Sequence, residues 1–282
     1  MKILTFDIEE WFHILDNDST RSEYDWRRYP CRIYENMERI FSFLAESNQS
    51  ASFFIVGWIA ENYPDIVKQI VNMGHEVGSH THLHQLVYDQ TPNEFKNDIE
   101  YSIKTIEDIS GKKVRLFRAP GFSITEKNKW AFEVMHEVGI EIDSSIFPAS
   151  HAHGGFFLYK DSQPSILSYN GINLKEFPIN TTRLLWKNMV FSGGGYFRLF
   201  PYFFIKKWTK NSDYVMSYFH PRDFDYEQPV IEGLGAFREF KSYIGLKSTE
   251  KKFKKWIKDF EFVDILQADK LTDWNNAPVV NL

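Results

Sequence analysis

Ser52-Phe53-Phe54-Ile55-Val56, a run from Pro64 through Ile66, Ile70 and Met73 to Gly74, and then Glu76-Val77-Gly78 read as strand, helix, strand. The first segment is a short apolar run of β-favouring residues. Proline at the opening of a helix and glycine at its exit bracket the middle segment. The same alternation extends outward in both directions. Lys2 to Ile8 reads as an earlier strand, and Ile33, Met37, Ile40 and Leu44 mark one face of a helix between them. After Gly78, Thr91 and Pro92 open a helix with Phe95, Ile99, Ile103 and Ile106 on one side and Gly111 at its end. Val114 to Arg118 is a fourth strand, Thr125 caps a helix to about Val138, and Ile140 to Asp143 is a fifth strand. Strands alternating with helices predict an α/β fold with a parallel sheet, and this many units suffice to close a barrel.

Past Pro148 the regularity gives way. Residues 151–195 carry turn signals at Gly154-Gly155, Asn170-Gly171 and Gly193-Gly194-Gly195, which predicts an insertion of loops with a hairpin. Alternation resumes with a helix near Pro201 to Lys210, a strand Tyr214 to Phe219, helical stretches at Phe237 to Ile244 and Thr249 to Lys258, and a strand Phe260 to Ile265. Lys251, Lys252, Lys254 and Lys255 read as the solvated face of the last helix, over buried Phe253, Trp256 and Ile257. No repeat or composition shift divides the chain, so a single domain over 1–282 is expected.

Composition excludes several classes. The 282 residues carry a formal charge of −5, against the basic surface expected of a nucleic-acid binder. With 43% hydrophobic and 25% charged residues the chain is an ordinary globular one, not a disordered one. One cysteine, Cys31, excludes an internal disulfide framework and fits a reducing compartment. The first apolar run is interrupted by Asp7, Glu9 and Glu10, unlike a signal peptide. Residues 51–60 and 199–205, the longest apolar stretches, fall short of the roughly 18 residues of a membrane span. A soluble cytoplasmic protein without a membrane span is expected. The 17% aromatic content is mostly core, with a few rings free to stack on a flat ligand.

Chemistry concentrates in His75 to His84, which holds four of the nine histidines. Imidazole is the commonest metal-binding side chain near neutral pH. On a helical turn His80 and His84 share a face; on a strand His80, His82 and His84 do. Both arrangements could grip an ion. Asp7 and Glu9 point the same way in an extended chain, and two converging buried carboxylates call for a cation or a proton between them. Glu10 reads as part of a solvated acidic turn. Asp7, His80, Arg118, Asp143 and His220 all fall at the carboxyl ends of expected strands, where parallel α/β folds gather their active-site loops. Arg118-Ala119-Pro120-Gly121-Phe122 is a tight turn whose glycine admits close backbone approach. The three glycines from Gly193 lack the lysine and hydroxyl of a phosphate cradle.

Taken in order, Thr5-Phe6-Asp7-Ile8-Glu9, His80-Thr81-His82-Leu83-His84, Arg118-Ala119-Pro120-Gly121, Asp143-Ser144-Ser145 and Phe219-His220-Pro221 resemble the motifs of the polysaccharide deacetylases. This is the NodB-homology or carbohydrate esterase family 4 group. Gly193 to Arg198 and Glu232 to Lys255 resemble a subfamily found with exopolysaccharide genes, which makes residues 230–282 a subfamily extension. The resemblance implies a distorted (β/α) barrel of about seven parallel strands. It implies His80 and His84 as metal ligands in place of His82, and Asp7 as base. Many members carry a second aspartate where Ile8 stands here; Glu9, two residues past Asp7, is then the carboxylate ligand, with Glu10 as the fallback. The backbone N–H of Gly121 is implied as oxyanion donor, Arg118 as the partner of Asp7, His220 as acid, and Asp143 as the residue orienting His220.

The activity implied is hydrolysis, with a divalent ion, zinc first, of N-acetyl groups on an amino sugar in a polysaccharide, oligosaccharide or activated precursor. The resemblance also extends to amide hydrolases on the same scaffold that act on a cyclic imide or ureide, and the ligand set is superficially like that of a 2-His-1-carboxylate iron oxygenase. The aromatic excess fits a non-catalytic carbohydrate-binding relative.

Overall fold

The computed structural model describes residues 1–282 except Asp16, Ser150, His151, Leu158, Lys160, Asp161, Leu185 and Trp186. Its strands are β1 (Lys2–Ile3), β2 (Thr5–Ile8), β3 (Ser52–Ile55), β4 (Glu76–Ser79), β5 (Leu116–Phe117), β6 (Ile142–Asp143), β7 (Ser165–Tyr169), β8 (Ile172–Glu176), β9 (Thr182–Leu184), β10 (Lys187–Met189), β11 (Val215–Met216) and β12 (Val279–Asn281). The central sheet runs β2-β3-β4-β5-β6-β8-β7-β12, and only the β7–β8 hairpin within it is antiparallel. β2 and β3 are buried along their whole length, which is why they read as apolar runs instead of alternating ones.

Beyond β2 the wall continues through short pairings. β1 lies parallel to β11, and isolated bridges join Phe6 to Phe219 and Gly193 to Tyr218. On the far side, Ile179 N–H donates to Ile146 O, 3.0 Å, carrying the wall past β8. Asn180 then spans the seam: its Oδ1 accepts the Met216 N–H at 2.9 Å and the Ser192 hydroxyl at 3.0 Å. The result is a distorted barrel with one join made by a side chain.

Several elements follow from local chemistry. The helix Pro92–Ser110 starts with a capping box between Thr91 and Glu94 and ends at Gly111 with φ 66°, where a side chain would be strained. The helix Ile33–Ser47 buries Ile33, Met37, Ile40 and Leu44, the face the spacing marks. Phe6, Phe219 and Phe224 all lie against Phe253, with ring centroids 5.0–6.0 Å apart, so the helix Leu246–Asp259 seals the barrel with aromatic edges.

The structure differs from expectation in four places. The hairpin of residues 165–176 is not an appendage, because β8 pairs with β6 and takes the next position in the sheet. The helix expected from Thr125 begins only at Trp130, since the Thr125 N–H and hydroxyl both donate to Asn128 Oδ1 and hold a turn there. Phe260 to Ile265 forms a single bridge, Ile3 with Val263, before a helix starts at Ile265. Lys252 is not solvated: its ammonium donates to the carbonyls of Phe197, Arg198 and Phe200, acceptors freed where a short helix ends. Among the described residues no helix is long and apolar enough to cross a membrane.

Candidate metal centre and its acid–base partners

Glu9 leaves the end of β2 and His80 the end of β4, so adjacent crossovers deliver them to one rim. The ligand atoms of Glu9, His80 and His84 lie within 4.8 Å of one another, and all three side chains are buried. His84 Nε2 is 2.7 Å from Glu9 Oε2. His80 Nδ1 is 2.7 Å from the carbonyl of Arg118, an acceptor only, so Nδ1 carries the proton and Nε2 presents its lone pair. Burial pushes the His80 imidazole down to about 4, which keeps it neutral. Burial alone would raise the Glu9 carboxyl, but His84 and His220 beside it hold it well below the usual range. Two imidazoles and an ionised carboxylate in a buried cluster form a donor set suited to a divalent ion.

The segment carrying both histidines is neither helix nor strand. Thr81 and His84 have φ of 63° and 51°, values that need outside support in residues other than glycine. Asp98, on the helix Pro92–Ser110, supplies it by accepting the N–H groups of His82 at 2.6 Å and Leu83 at 3.0 Å. His82 turns away from the cluster, its Nε2 3.7 Å from Glu23 and 3.8 Å from Glu61. Glu10 also stays outside: Oε1 accepts the N–H groups of Arg32 and Ile33 at 2.6 and 2.8 Å, serving the start of a helix in place of a metal.

Asp7 stands beside the cluster. Its Oδ1 accepts from Arg118 Nη1 at 2.7 Å, and its Oδ2 is 3.9 Å from His220 Nε2. Arg118 is fully buried. Three further donors go to Thr5 Oγ1 at 2.7 Å, to Ser144 O at 3.1 Å and to Ser144 Oγ at 2.9 Å, with Phe54 against its flat face. His220 Nε2 is also 3.9 Å from Glu9 Oε1. Burial would lower the His220 imidazolium, but Glu9, Asp223 and Asp7 raise it to about 9.

The expectation that Asp143 orients His220 is corrected. His220 Nδ1 pairs with Asp223 Oδ2 at 3.2 Å, and Asp223 also accepts the His220 N–H at 2.9 Å and faces Arg198 at 3.4 Å. Asp143 instead accepts from Ser145 Oγ at 2.5 Å, inside the barrel wall. Asp223 lies three residues past His220 in Phe219-His220-Pro221-Arg222-Asp223, a proline-started turn whose third position commonly holds a capping acid, and that spacing is the sequence signal for it. Gly121 has φ 60°, and a Cβ there would come within 2.8 Å of Leu15 and 3.0 Å of His153, so the turn needs its glycine. Beside His84 opens a cavity of about 440 Å³ whose walls include His13, Trp26, Asn17, Arg21, Gln85 and Asp89.

Comparison with known proteins adds two family matches. Residues 22–142 match the polysaccharide deacetylase family, and residues 144–270 match a domain of unknown function, DUF3473. The junction falls inside the central sheet, where β6 pairs with β8. The first match begins after Asp7 and Glu9, whose placement beside the histidines rests on the geometry. A peptidoglycan-N-acetylglucosamine deacetylase of Bacillus cereus is 34% identical over 96 residues, 34% of this chain and 35% of that one. A chitooligosaccharide deacetylase of Azorhizobium caulinodans is 38% identical over 78 residues, 27% of this chain and 37% of that one. The chain thus spans little more than a third of the length of these relatives. A crystal structure from Mycobacterium smegmatis, assigned to the polysaccharide deacetylases, superposes with a TM-score of 0.63 at 15% identity, covering 96% of this chain and 88% of the other, which shows a shared fold.

Proposed function

From the premise that this chain contains a polysaccharide deacetylase domain over residues 22–142, we propose that it is a metal-dependent hydrolase removing N-acetyl groups from an amino sugar. The observation that carries this reading is the buried Glu9, His80 and His84 cluster with Asp7 and His220 at its edge. Those three residues would hold a divalent ion, for which zinc is the first choice by donor type. When bound, such an ion polarises an amide carbonyl and eases ionisation of water.

The remaining chemistry belongs to the chain. Asp7, anchored through Oδ1 by Arg118, is left with Oδ2 to accept the proton of the attacking water. His220, held charged at neutral pH by Glu9, Asp223 and Asp7, gives a proton to the departing amine nitrogen; a positioned acid is worth about 10²–10⁴-fold. The Gly121 N–H is the proposed donor to the tetrahedral oxyanion, a contact worth about 2.7–4 kcal/mol. The cavity beside His84, with an aromatic wall and polar rim, has room for a sugar unit next to the reacting acetamide. The relatives named above support an N-acetylglucosamine-containing polymer or oligomer. The resemblance of Glu232 to Lys255 to exopolysaccharide-associated proteins supports an exopolysaccharide or its precursor within that class. Residues of both matched segments build the site, so we read 1–282 as one catalytic unit.

The test is Asp7→Asn. Metal content, measured on purified protein, should be unchanged, and acetate release from chitooligosaccharides should fall to background. Full acetate release by the variant would remove Asp7 from the base role. Wild-type protein that binds a divalent ion yet hydrolyses a cyclic imide and no N-acetyl sugar would move the activity to the other amide class.

A further inference from the structure

Asp143 and Glu176 face each other in register on the neighbouring strands β6 and β8, and both are fully buried. Each has one oxygen in use. Asp143 Oδ1 accepts from Ser145 Oγ, and Glu176 Oε1 accepts the Ile146 N–H at 3.1 Å. The other oxygen of each, Asp143 Oδ2 and Glu176 Oε2, is buried without a hydrogen-bond donor from any described residue. The Arg118 guanidinium faces Glu176, but four of its five N–H groups go to Thr5, Asp7 and Ser144 and none reaches either free oxygen. Tyr214, the phenol facing the pair, donates to Pro178 O at 2.7 Å. Two adjacent buried carboxylates with no cation to share must hold a proton between them.

We propose that Asp143 and Glu176 share one proton, and that this singly charged pair is a positioning device for the Ala119–Gly121 turn. The connection is direct. Ser145 donates to Asp143 and accepts the Ala119 N–H at 2.8 Å, so the orientation of the Asp143 carboxylate sets the hydroxyl that pins the turn after Arg118. Burial raises both carboxyls above their ordinary range, Glu176 furthest because Asp143 lies beside it, which agrees with a proton resident on the pair. Glu176 is thus a positioning residue for the proposed deacetylation, and this part of the inference rests on that reading.

Infrared spectroscopy and amide exchange test it with readouts that do not depend on activity. At neutral pH the wild type minus Glu176→Gln difference spectrum should contain one protonated-carboxyl band. Absence of that band overturns the shared proton. Glu176→Gln supplies an amide N–H to Asp143 in place of the shared proton and should keep Ala119 N–H protection within about threefold of wild type. Glu176→Leu leaves Asp143 Oδ2 unpartnered and should speed exchange at Ala119 at least tenfold, with kcat falling by a similar factor while metal content and KM hold. Equal exchange at Ala119 in the Leu and Gln variants overturns the positioning role, whether or not the wild type releases acetate.

Discussion

Replacing Asp223 with asparagine isolates the electrostatic half of the acid. The asparagine oxygen still accepts the His220 N–H and preserves the turn, since asparagine caps as well as aspartate. What is lost is a negative charge 3.2 Å from His220 Nδ1, and Arg198, 3.4 Å from the same carboxylate, becomes an unbalanced cation nearby. An opposite charge at this range is worth about 1–3 pKa units. Starting from about 9, His220 should fall toward about 7, near two units or roughly 3 kcal/mol of lost preference for the charged form. The acid must be protonated to act, so activity is lost as pH rises through its pKa. At pH 8 the protonated fraction should drop roughly tenfold, from about 90% to about 10%. A bound dication beside Glu9 shifts both proteins alike, and the difference reports Asp223. The assay is kcat for acetate release against pH, where the alkaline limb should move down by at least one unit. A variant with lower kcat at every pH but an unmoved alkaline limb refutes the reasoning and leaves Asp223 as a mere turn residue.

Three further outcomes follow from the packing. Phe253→Ala removes a fully buried ring from a cluster with Phe6, Phe219 and Phe224, and should cost about 3–5 kcal/mol by denaturant titration; a loss under about 1 kcal/mol would show that the cluster collapses around the gap. Gly193→Ala drives a Cβ into the carbonyl of Tyr218 at the bridge leading to His220, and should lower stability by about 1–3 kcal/mol together with activity. Asp225 is buried and paired with Arg32, Nη2 to Oδ1 at 2.9 Å, and although burial opposes it, the Arg32 and Asn36 contacts lower its pKa in the folded state. Its contribution is therefore present above the unfolded value of about 3.9 and is lost as pH falls through the lower folded one. Asp225→Asn should be less stable than wild type at neutral pH, with the gap in denaturant midpoint closing in strong acid.

The parts of the site that could be read from the chain are those whose position follows from strand order. Asp7, His80, Arg118 and His220 each sit at the end of a strand in a βα unit, and the crossover rule alone brings them to one rim. Helix Ile33–Ser47 was readable because its apolar spacing is its burial pattern. What escaped depends on which side chain reaches which backbone group. Asp98 supports the His80–His84 segment from a helix surface that reads as ordinary solvated polarity. Glu10 looks like one more carboxylate of an acidic turn until Arg32 and Ile33, over twenty residues away, offer it their N–H groups. Asp143 sits at the right strand end for catalysis, but its neighbour across the ladder, Glu176, lies in a hairpin whose registry no spacing predicts. The reach of Lys252 to three carbonyls is equally invisible, because a lysine on a charged helix face looks the same whether it meets water or a helix end.

Arg118 binds two functions into one amino acid. Its carbonyl fixes the tautomer of His80 and its guanidinium holds Asp7, so the separation between proton acceptor and ligand is set largely by the bond lengths and torsions of a single residue. Drift of the surrounding loops moves both together and leaves their spacing intact. A lysine there would keep a positive charge but forfeit the four-way anchorage to Thr5, Asp7 and Ser144, and with it the common ruler for the two halves of the centre.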